Sequence, residues 1–150
     1  MQKKKIFFLI LIVLGSIIGL FDVGYLSMLE WQGKNSSACD LGGLNCNAVL
    51  TSQYSKLFNI PLAYWGLAYY LVLFILIVVY LDFSAIGGKH QKIFQAIGLM
   101  LWVGFGVSSV LLYLQAFVLK AFCLYCLISE IAIVIMIIGY LVARHYFKEK

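Results

Sequence analysis

Four long apolar segments dominate the sequence, and each is long enough to cross a lipid bilayer. They run roughly over residues 6–28, 62–81, 93–118 and 121–143, and about 20 apolar residues suffice for a helical span. Backbone groups find no water in the hydrocarbon core, so each segment must form its own hydrogen bonds as a helix. A membrane barrel is excluded, because its strands alternate polar and apolar residues whereas these runs are continuous.

The composition supports a membrane protein rather than a soluble one. Hydrophobic residues make up 64% of the 150 residues and charged residues only 11%. A soluble domain of this size cannot bury so much apolar surface. We therefore predict an all-α integral membrane protein, a four-transmembrane-helix bundle, in which residues 1–150 form one domain and residues 29–61 form an outer loop.

The distribution of lysine and arginine predicts the orientation, because these residues favour the cytosolic side of a membrane. With both termini on one side, that side holds Lys3, Lys4, Lys5, Lys89, Lys92, Arg144, Lys148 and Lys150, and the other side holds Lys34, Lys56 and Lys120. We therefore expect cytosolic termini and an outward-facing loop. The formal charge of +5 then reflects topology, and no nucleic-acid partner is expected.

The first apolar segment, roughly residues 6–28, is long and lacks a signal-peptide cleavage site, so we expect it to be retained as a membrane anchor.

The second half of the outer loop, SQYSKLFNI at residues 52–60, is predicted to form a short amphipathic half-helix at the membrane interface. Asn59 is expected to cap the second span, and Pro61 is tolerated in its first helical turn.

The four cysteines form two pairs, and both pairs fall on the outer side. Cys39 and Cys46 lie in the loop, whereas Cys123 and Cys126 form a CxxC in the first turns of the fourth span. Cysteines at i and i+3 share one helix face, and a thiol at a helix N-terminus has a lowered pKa. Thiolate is the form that attacks disulfides. The pattern favours a redox relay on a side that is oxidising in a bacterial envelope or an ER lumen.

Two other interpretations of the cysteines stay open. Structural zinc sites usually use two tight CxxC knuckles, and the loop pair here is spaced CxxxxxxC, so we predict no metal site. One static disulfide beside two buried thiols is the other interpretation, since a buried thiol often only packs. Both would make the chain a metal-holding or structural membrane protein without turnover.

The stretch CDLGGLNCNAVLTSQYSKLFNIPLAYWG, followed in a later span by FCLYCLIS, resembles the bacterial form of the vitamin K epoxide reductase family. The resemblance covers nearly the whole chain, from the four spans and the loop pair to the CxxC that opens the fourth span. It implies a four-helix bundle around a quinone, with an outer half-helix that carries the loop thiols over the site. In animals the same fold reduces vitamin K epoxide and quinone, so a reductase of an ER membrane is the alternative function.

The resemblance also implies a path for electrons. A reduced thioredoxin-like or DsbA-like partner reduces Cys39 and Cys46. Cys46 lies nearer the predicted half-helix and Cys39 on the glycine-rich outer side of the loop, so we expect Cys39 to react first. The electrons then reach Cys123 and Cys126, and Cys126 faces a quinone of the menaquinone, ubiquinone or vitamin K type. In a bacterial cytoplasmic membrane this path supports disulfide formation in secreted proteins. Many bacterial members carry a fused thioredoxin-like domain, but this chain ends at Lys150, so we expect a separate partner.

Ser52 and Glu130 complete the predicted quinone site. The resemblance implies that Ser52 lies near the CxxC, where its hydroxyl polarises a quinone oxygen or holds the half-helix. Glu130 follows Cys126 by four residues and lies roughly 10 Å deeper than Cys123, at 1.5 Å per residue. An acid in a span suggests function, here a proton relay to the quinone, although a tie between helices is an equal alternative. Asp22 is interpreted as an acid that reaches the interface or pairs with a loop cation.

Overall fold

The computed structural model describes residues 2–31, 46–86 and 91–148. In chain order the elements are α1 (Gln2–Trp31), α2 (Cys46–Leu50), a 3₁₀ turn (Gln53–Ser55), β1 (Lys56–Leu57), β2 (Ile60–Pro61), α3 (Leu62–Ile86), α4 (Gln91–Tyr113), a π-helix (Leu114–Leu119) and α5 (Leu124–Lys148). Four stretches are long and apolar enough to cross a membrane: Leu9–Trp31, Leu62–Phe83, Gln91–Leu119 and Leu124–His145. The predicted all-α membrane fold with four spans is confirmed.

The helices differ from the predicted spans mainly at their ends. The fourth helix begins at Leu124 rather than at residue 121, so Cys123 lies just before it. Lys120 adopts a left-handed conformation with φ 50°, and its backbone N–H donates to the Gln115 carbonyl. A left-handed residue with such a bond ends a helix, and the chain reverses direction over residues 120–123.

The four long helices form a bundle in which α1 and α4 each pack against both α3 and α5. An aromatic stack fills the end of the bundle that holds the chain termini. The Phe94 ring stacks on Tyr140 with centroids 4.7 Å apart and lies 5.5 Å from the Tyr80 ring. The outward faces stay apolar, with Phe21 and Leu99 strongly exposed, as expected of surfaces that meet lipid. The opposite end of the bundle carries α2, the strands and the CxxC.

Part of the predicted half-helix is not helical. The loop carries the short helix α2, but residues 52–60 form the 3₁₀ turn and an antiparallel hairpin of β1 and β2. Phe58 and Asn59 lie in the turn with φ 54° and 65°, and two successive left-handed residues are typical of a tight hairpin turn. Asn59 therefore does not cap the second span, and Pro61 belongs to β2, so α3 begins at Leu62.

Close contact between α4 and α5 depends on a glycine. A Cβ built at Gly98 would lie 2.2 Å from the Tyr140 hydroxyl oxygen, whereas a Cβ at Gly106 on the same helix would meet nothing within 4 Å. Adding atoms to a packed interior forces shifts of side chain or backbone. Gly98 is thus a packing position, and Gly106 is the natural control for it.

We predict that Gly98→Ala destabilises the bundle by about 1–3 kcal/mol, because the methyl group overpacks against Tyr140. Gly106→Ala should be neutral or slightly stabilising, because alanine is the better helix former. Unfolding of the purified variants in mixed detergent micelles measures both free energies. Equal stability of the two variants would show that this helix contact tolerates a side chain.

Candidate active site

Cys123 occupies the cap position of α5. Its carbonyl oxygen accepts the backbone N–H of Leu127 at 3.1 Å, which closes the first turn. The pKa of the Cys123 thiol lies below its ordinary value because the Cys126 side chain and the backbone N–H groups of Cys126 and Tyr125 hydrogen-bond to it, against the opposing effect of burial. Cys123 is therefore a thiol prepared to react as thiolate, as its place at a helix start predicts.

The helix α2 brings Cys46 directly against Cys123. Their Sγ atoms lie 3.1 Å apart, and both side chains are 0% exposed in a small apolar cluster with Val49 and Leu124. Cys46 is disulfide-bonded, whereas Cys123 and Cys126 are free. A disulfide sulfur in contact with a thiol of lowered pKa is the arrangement that thiol–disulfide exchange requires.

Ser52 closes the end of α2. Its hydroxyl donates to the Val49 carbonyl at 2.7 Å, and its backbone N–H donates to the same oxygen at 3.3 Å. Its own carbonyl accepts the Ser55 hydroxyl at 2.7 Å. Two roles are predicted for Ser52. Its contacts fit the first role, holding the short outer helix, which is α2 in the structure. Its position on the wall of the cavity described next is compatible with the second role, contact with a quinone oxygen.

A cavity of about 370 Å³ lies between the four long helices and is bordered by α2, the 3₁₀ turn and the hairpin. Most of its wall is apolar, and its polar lining includes Ser52, Ser108, Gln115, Cys126, Ser129 and Glu130. Of the three described cysteines, Cys126 is the one that lines this cavity. The described cysteines therefore form a series from the loop helix, through the cap of α5, to the cavity.

Two carboxyl groups, a half-buried one on α5 and a buried one on α1, tie α5 into the bundle beside Cys126. Glu130 accepts a hydrogen bond from the Ser108 hydroxyl on α4. The Ser129 hydroxyl donates to Asp22 at 2.5 Å, and the Ser129 carbonyl accepts the Tyr70 hydroxyl at 3.2 Å. The interpretation of Asp22 as an interfacial acid was wrong: it is 8% exposed, because a hydroxyl on α5 takes the place of water.

Gln115 joins the site although sequence analysis did not select it. The Cys123 backbone N–H donates to Gln115 Oε1 at 3.0 Å, and Gln115 lines the same cavity as Cys126. The available signal was its polarity: a glutamine within the apolar run LLYLQAFVL needs a hydrogen-bonding partner inside the membrane.

Five of the six predicted site residues come together at one end of the bundle: Cys46, Ser52, Cys123, Cys126 and Glu130. The sixth, Cys39, lies outside the described residues. Within residues 2–31, 46–86 and 91–148, no group of three or more His, Cys, Asp or Glu could hold a metal ion. Cys46, being disulfide-bonded, is not a thiolate ligand in this state.

Residues 10–141 match the profile of the Vitamin K epoxide reductase family. The chain belongs to this family. The comparison with curated proteins finds no match. Membership of the vitamin K epoxide reductase family makes the chain an oxidoreductase with a quinone- or vitamin K epoxide-type redox role. Together with the four spans, it makes the chain a multi-pass membrane protein.

The sulfur contact predicts which cysteines cross-link. With Cys39→Ser and Cys126→Ser combined, Cys46 and Cys123 remain, and mild oxidation should join them rapidly because their Sγ atoms already lie 3.1 Å apart. Peptide mapping by mass spectrometry without reductant identifies the bond.

The matched control combines Cys39→Ser with Cys123→Ser and leaves Cys46 and Cys126. Cross-linking should be slower there, because the sulfur contact of 3.1 Å joins Cys46 to Cys123, whereas Cys126 lines the cavity. Faster bonding of Cys46 to Cys126 than to Cys123 would contradict the arrangement.

Proposed function

We propose that this family member is a quinone-dependent thiol–disulfide oxidoreductase that supports disulfide formation in secreted proteins. Electrons come from a reduced thioredoxin-like or DsbA-like partner, pass through the loop cysteines to the CxxC, and leave to a membrane quinone. The observation that carries the proposal is the contact of 3.1 Å between Cys46 and Cys123 beside a cavity lined by Cys126. A static disulfide beside two packing thiols requires no sulfur contact between the pairs.

The first exchange involves the loop pair. We take Cys39 and Cys46 as one redox pair, as the resemblance to the family implies. Cys46 is 0% exposed, so a partner protein cannot reach its sulfur. The partner thiolate therefore attacks Cys39, and Cys46 leaves as thiolate. The second thiol of the partner then attacks the partner's own sulfur in the mixed disulfide, which releases Cys39.

The second exchange uses the Cys46–Cys123 contact. The Cys46 thiolate attacks Cys123 Sγ in the oxidised CxxC, and Cys126 leaves as thiolate. Cys39 then attacks Cys46 and releases Cys123. This restores the loop disulfide and leaves two electrons on the CxxC. The observed state, with Cys46 disulfide-bonded and the CxxC thiols free, corresponds to this point of the cycle.

The cavity suits the ring of a quinone. Its volume of about 370 Å³ falls within the range of about 300–1,000 Å³ typical of small-molecule sites. Val103 and Val107 line the cavity and are 53% and 55% exposed on the lipid-facing side of α4. The cavity therefore opens toward lipid, where an isoprenoid tail could extend. When bound, a quinone takes up two electrons and two protons. Ser52 and Glu130 would hold its oxygens beside Cys126.

Glu130 is the group that we assign to proton transfer. It lies one helical turn beyond Cys126, and both side chains line the same cavity. The Ser108 hydroxyl holds its Oε2 atom, and the second carboxyl oxygen would exchange the proton. The same bond also satisfies the alternative in which Glu130 only ties α4 to α5, so a variant must separate the two roles.

We propose a bacterial cytoplasmic membrane, with both termini in the cytosol and the active site on the outer face. The excess of lysine and arginine near the termini and the inner loop supports this orientation. The site lies at the end of the bundle away from the N-terminus of α1, since α1 ends at Trp31 while α5 starts at Leu124. An ER membrane with vitamin K epoxide as the substrate is the alternative. Epoxide reduction without oxidation of any thioredoxin-like partner would favour it.

We predict that Cys126→Ala abolishes quinone reduction while the fold persists, because the CxxC can no longer close its disulfide as electrons leave. The measurement is quinol formation in proteoliposomes supplied with a reduced thioredoxin-like protein. Gly106→Ala, which changes the same bundle at an open position, should keep wild-type activity. Substantial quinone reduction by folded Cys126→Ala would end the proposal.

We predict that Glu130→Gln slows quinone turnover by about 10²-fold or more, the scale expected when a positioned proton donor is lost. Glutamine still accepts the Ser108 hydroxyl, so the helix tie survives. Single-turnover exchange between the partner and the cysteines should stay near the wild-type rate.

Ser108→Ala is the matched control, because it breaks the tie and keeps the carboxyl group. If Glu130→Gln turns over quinone normally while Ser108→Ala impairs the enzyme, Glu130 is a structural tie and not a relay.

A further inference from the structure

Cys126 lines the cavity. The N–H groups at the start of α5 do not stabilise a thiolate at its sulfur. Those of Tyr125 and Cys126 lower the pKa of the Cys123 thiol instead. Among the described residues that line the cavity there is no lysine or arginine. A thiolate buried without donors is costly, so a thiolate at Cys126 needs a neutral donor from another part of the chain.

Gln115 provides this donor, and the chemistry of the amide fixes which end of it does so. A backbone N–H only donates, so the atom 3.0 Å from the Cys123 nitrogen is the amide oxygen, Oε1. The NH₂ group then lies on the other side of the amide. Gln115 and Cys126 line the same cavity, and the NH₂ group is the part of the amide left to donate to the Cys126 sulfur.

The surroundings hold Gln115 in one orientation. Its side chain is 4% exposed. Its backbone carbonyl accepts the Ala121 N–H at 3.1 Å and the Lys120 N–H, which ties the π-helix to the turn before α5. Local π-helical geometry is rare and often marks functional sites. Here it directs the amide at the Cys123 backbone, beside the cavity that Cys126 lines.

We propose that Gln115 is a positioning residue of the redox site: its side-chain oxygen holds the Cys123 backbone, and its NH₂ group donates to the Cys126 thiolate. The inference rests on the proposed function, in which Cys126 leaves as thiolate when Cys46 attacks Cys123. A donor to the departing sulfur makes Cys126 the better leaving group. The same donor keeps the sulfur aligned with the cavity for the following transfer.

Other titratable groups near Cys126 set the background against which the amide acts. They are Cys123 at the start of α5, Asp22 on α1, and the groups on the cavity wall, which are Glu30, Tyr54, Tyr69, Tyr70 and Glu130. All of them are acids, and an ionised acid opposes a thiolate rather than stabilising it. The amide of Gln115 favours the Cys126 thiolate instead, so its removal should change the pH dependence of Cys126 alkylation.

The test is the pH dependence of Cys126 alkylation in the full chain with all cysteines reduced. A small neutral alkylating reagent is applied in short pulses across a pH series, and peptide mass spectrometry follows Cys126. Gln115→Glu keeps an oxygen for the Cys123 N–H but replaces the NH₂ donor by an acceptor. We expect the pH midpoint to move up by about one unit, which means roughly tenfold slower alkylation at about pH 8.

Gln95→Glu is the matched control. Gln95 is exposed on α4, which leads into the π-helix, so this variant should leave the midpoint unchanged. Gln115→Met removes the donor without adding charge and should also raise the midpoint. It decides the question if Gln115→Glu does not fold. An unchanged midpoint in a folded Gln115 variant overturns the proposal and leaves Gln115 as a helix tie.

Alkylation needs neither quinone nor partner protein, so the role of Gln115 is tested independently of the proposed function. A raised midpoint in a chain that never reduces quinone would keep the role of Gln115 and reject the proposed function. Normal quinone reduction with an unshifted midpoint would do the reverse.

Discussion

Exchange between two cysteine pairs requires that their sulfur atoms meet, and in this protein they meet at 3.1 Å between Cys46 and Cys123. Several local structures at this end of the bundle position the two cysteines for that contact. Ser52 closes α2 so that Cys46 starts a short helix, and the turn after the π-helix presents Cys123 as the cap of α5. The cap bonds then favour thiolate at the sulfur that faces the loop.

In the proposed cycle, the position of the CxxC in the membrane wall separates two reactions that would otherwise compete. Cys46 and Cys123 are both 0% exposed, and this burial would keep other thiols away from the proposed exchange between the two pairs. Cys126 lies one turn further on, at a cavity whose wall is mostly apolar and reaches the lipid-facing side of α4. The two thiols of one CxxC therefore serve different sides, one the loop and the other the cavity. A pair on a water-exposed turn would offer both sulfurs to the same reactants.

The sequence predicted those features that depend on length, spacing and periodicity. Four apolar runs determine four spans, and the spacing of Cys126 and Glu130 places both on one helix face, where they line one cavity. The misses depend on tertiary partners. Asp22 is buried because Ser129 on another helix donates to it, and Gln115 matters because the CxxC folds back onto it. The sequence did not predict the hairpin, because its turn contains Phe58 with φ 54°, and phenylalanine rarely adopts a positive φ.

Quenched-flow mapping of the four cysteines tests the central claim most directly. Oxidised protein is mixed with a reduced thioredoxin-like partner, quenched with acid, alkylated and mapped by mass spectrometry at successive times. The account predicts that the loop pair is reduced first, that a Cys46–Cys123 mixed disulfide follows, and that the CxxC is reduced as the loop disulfide returns. Reduction of the CxxC at an undiminished rate in Cys46→Ser would contradict the account, because electrons would then reach Cys123 and Cys126 without passing through the sulfur contact.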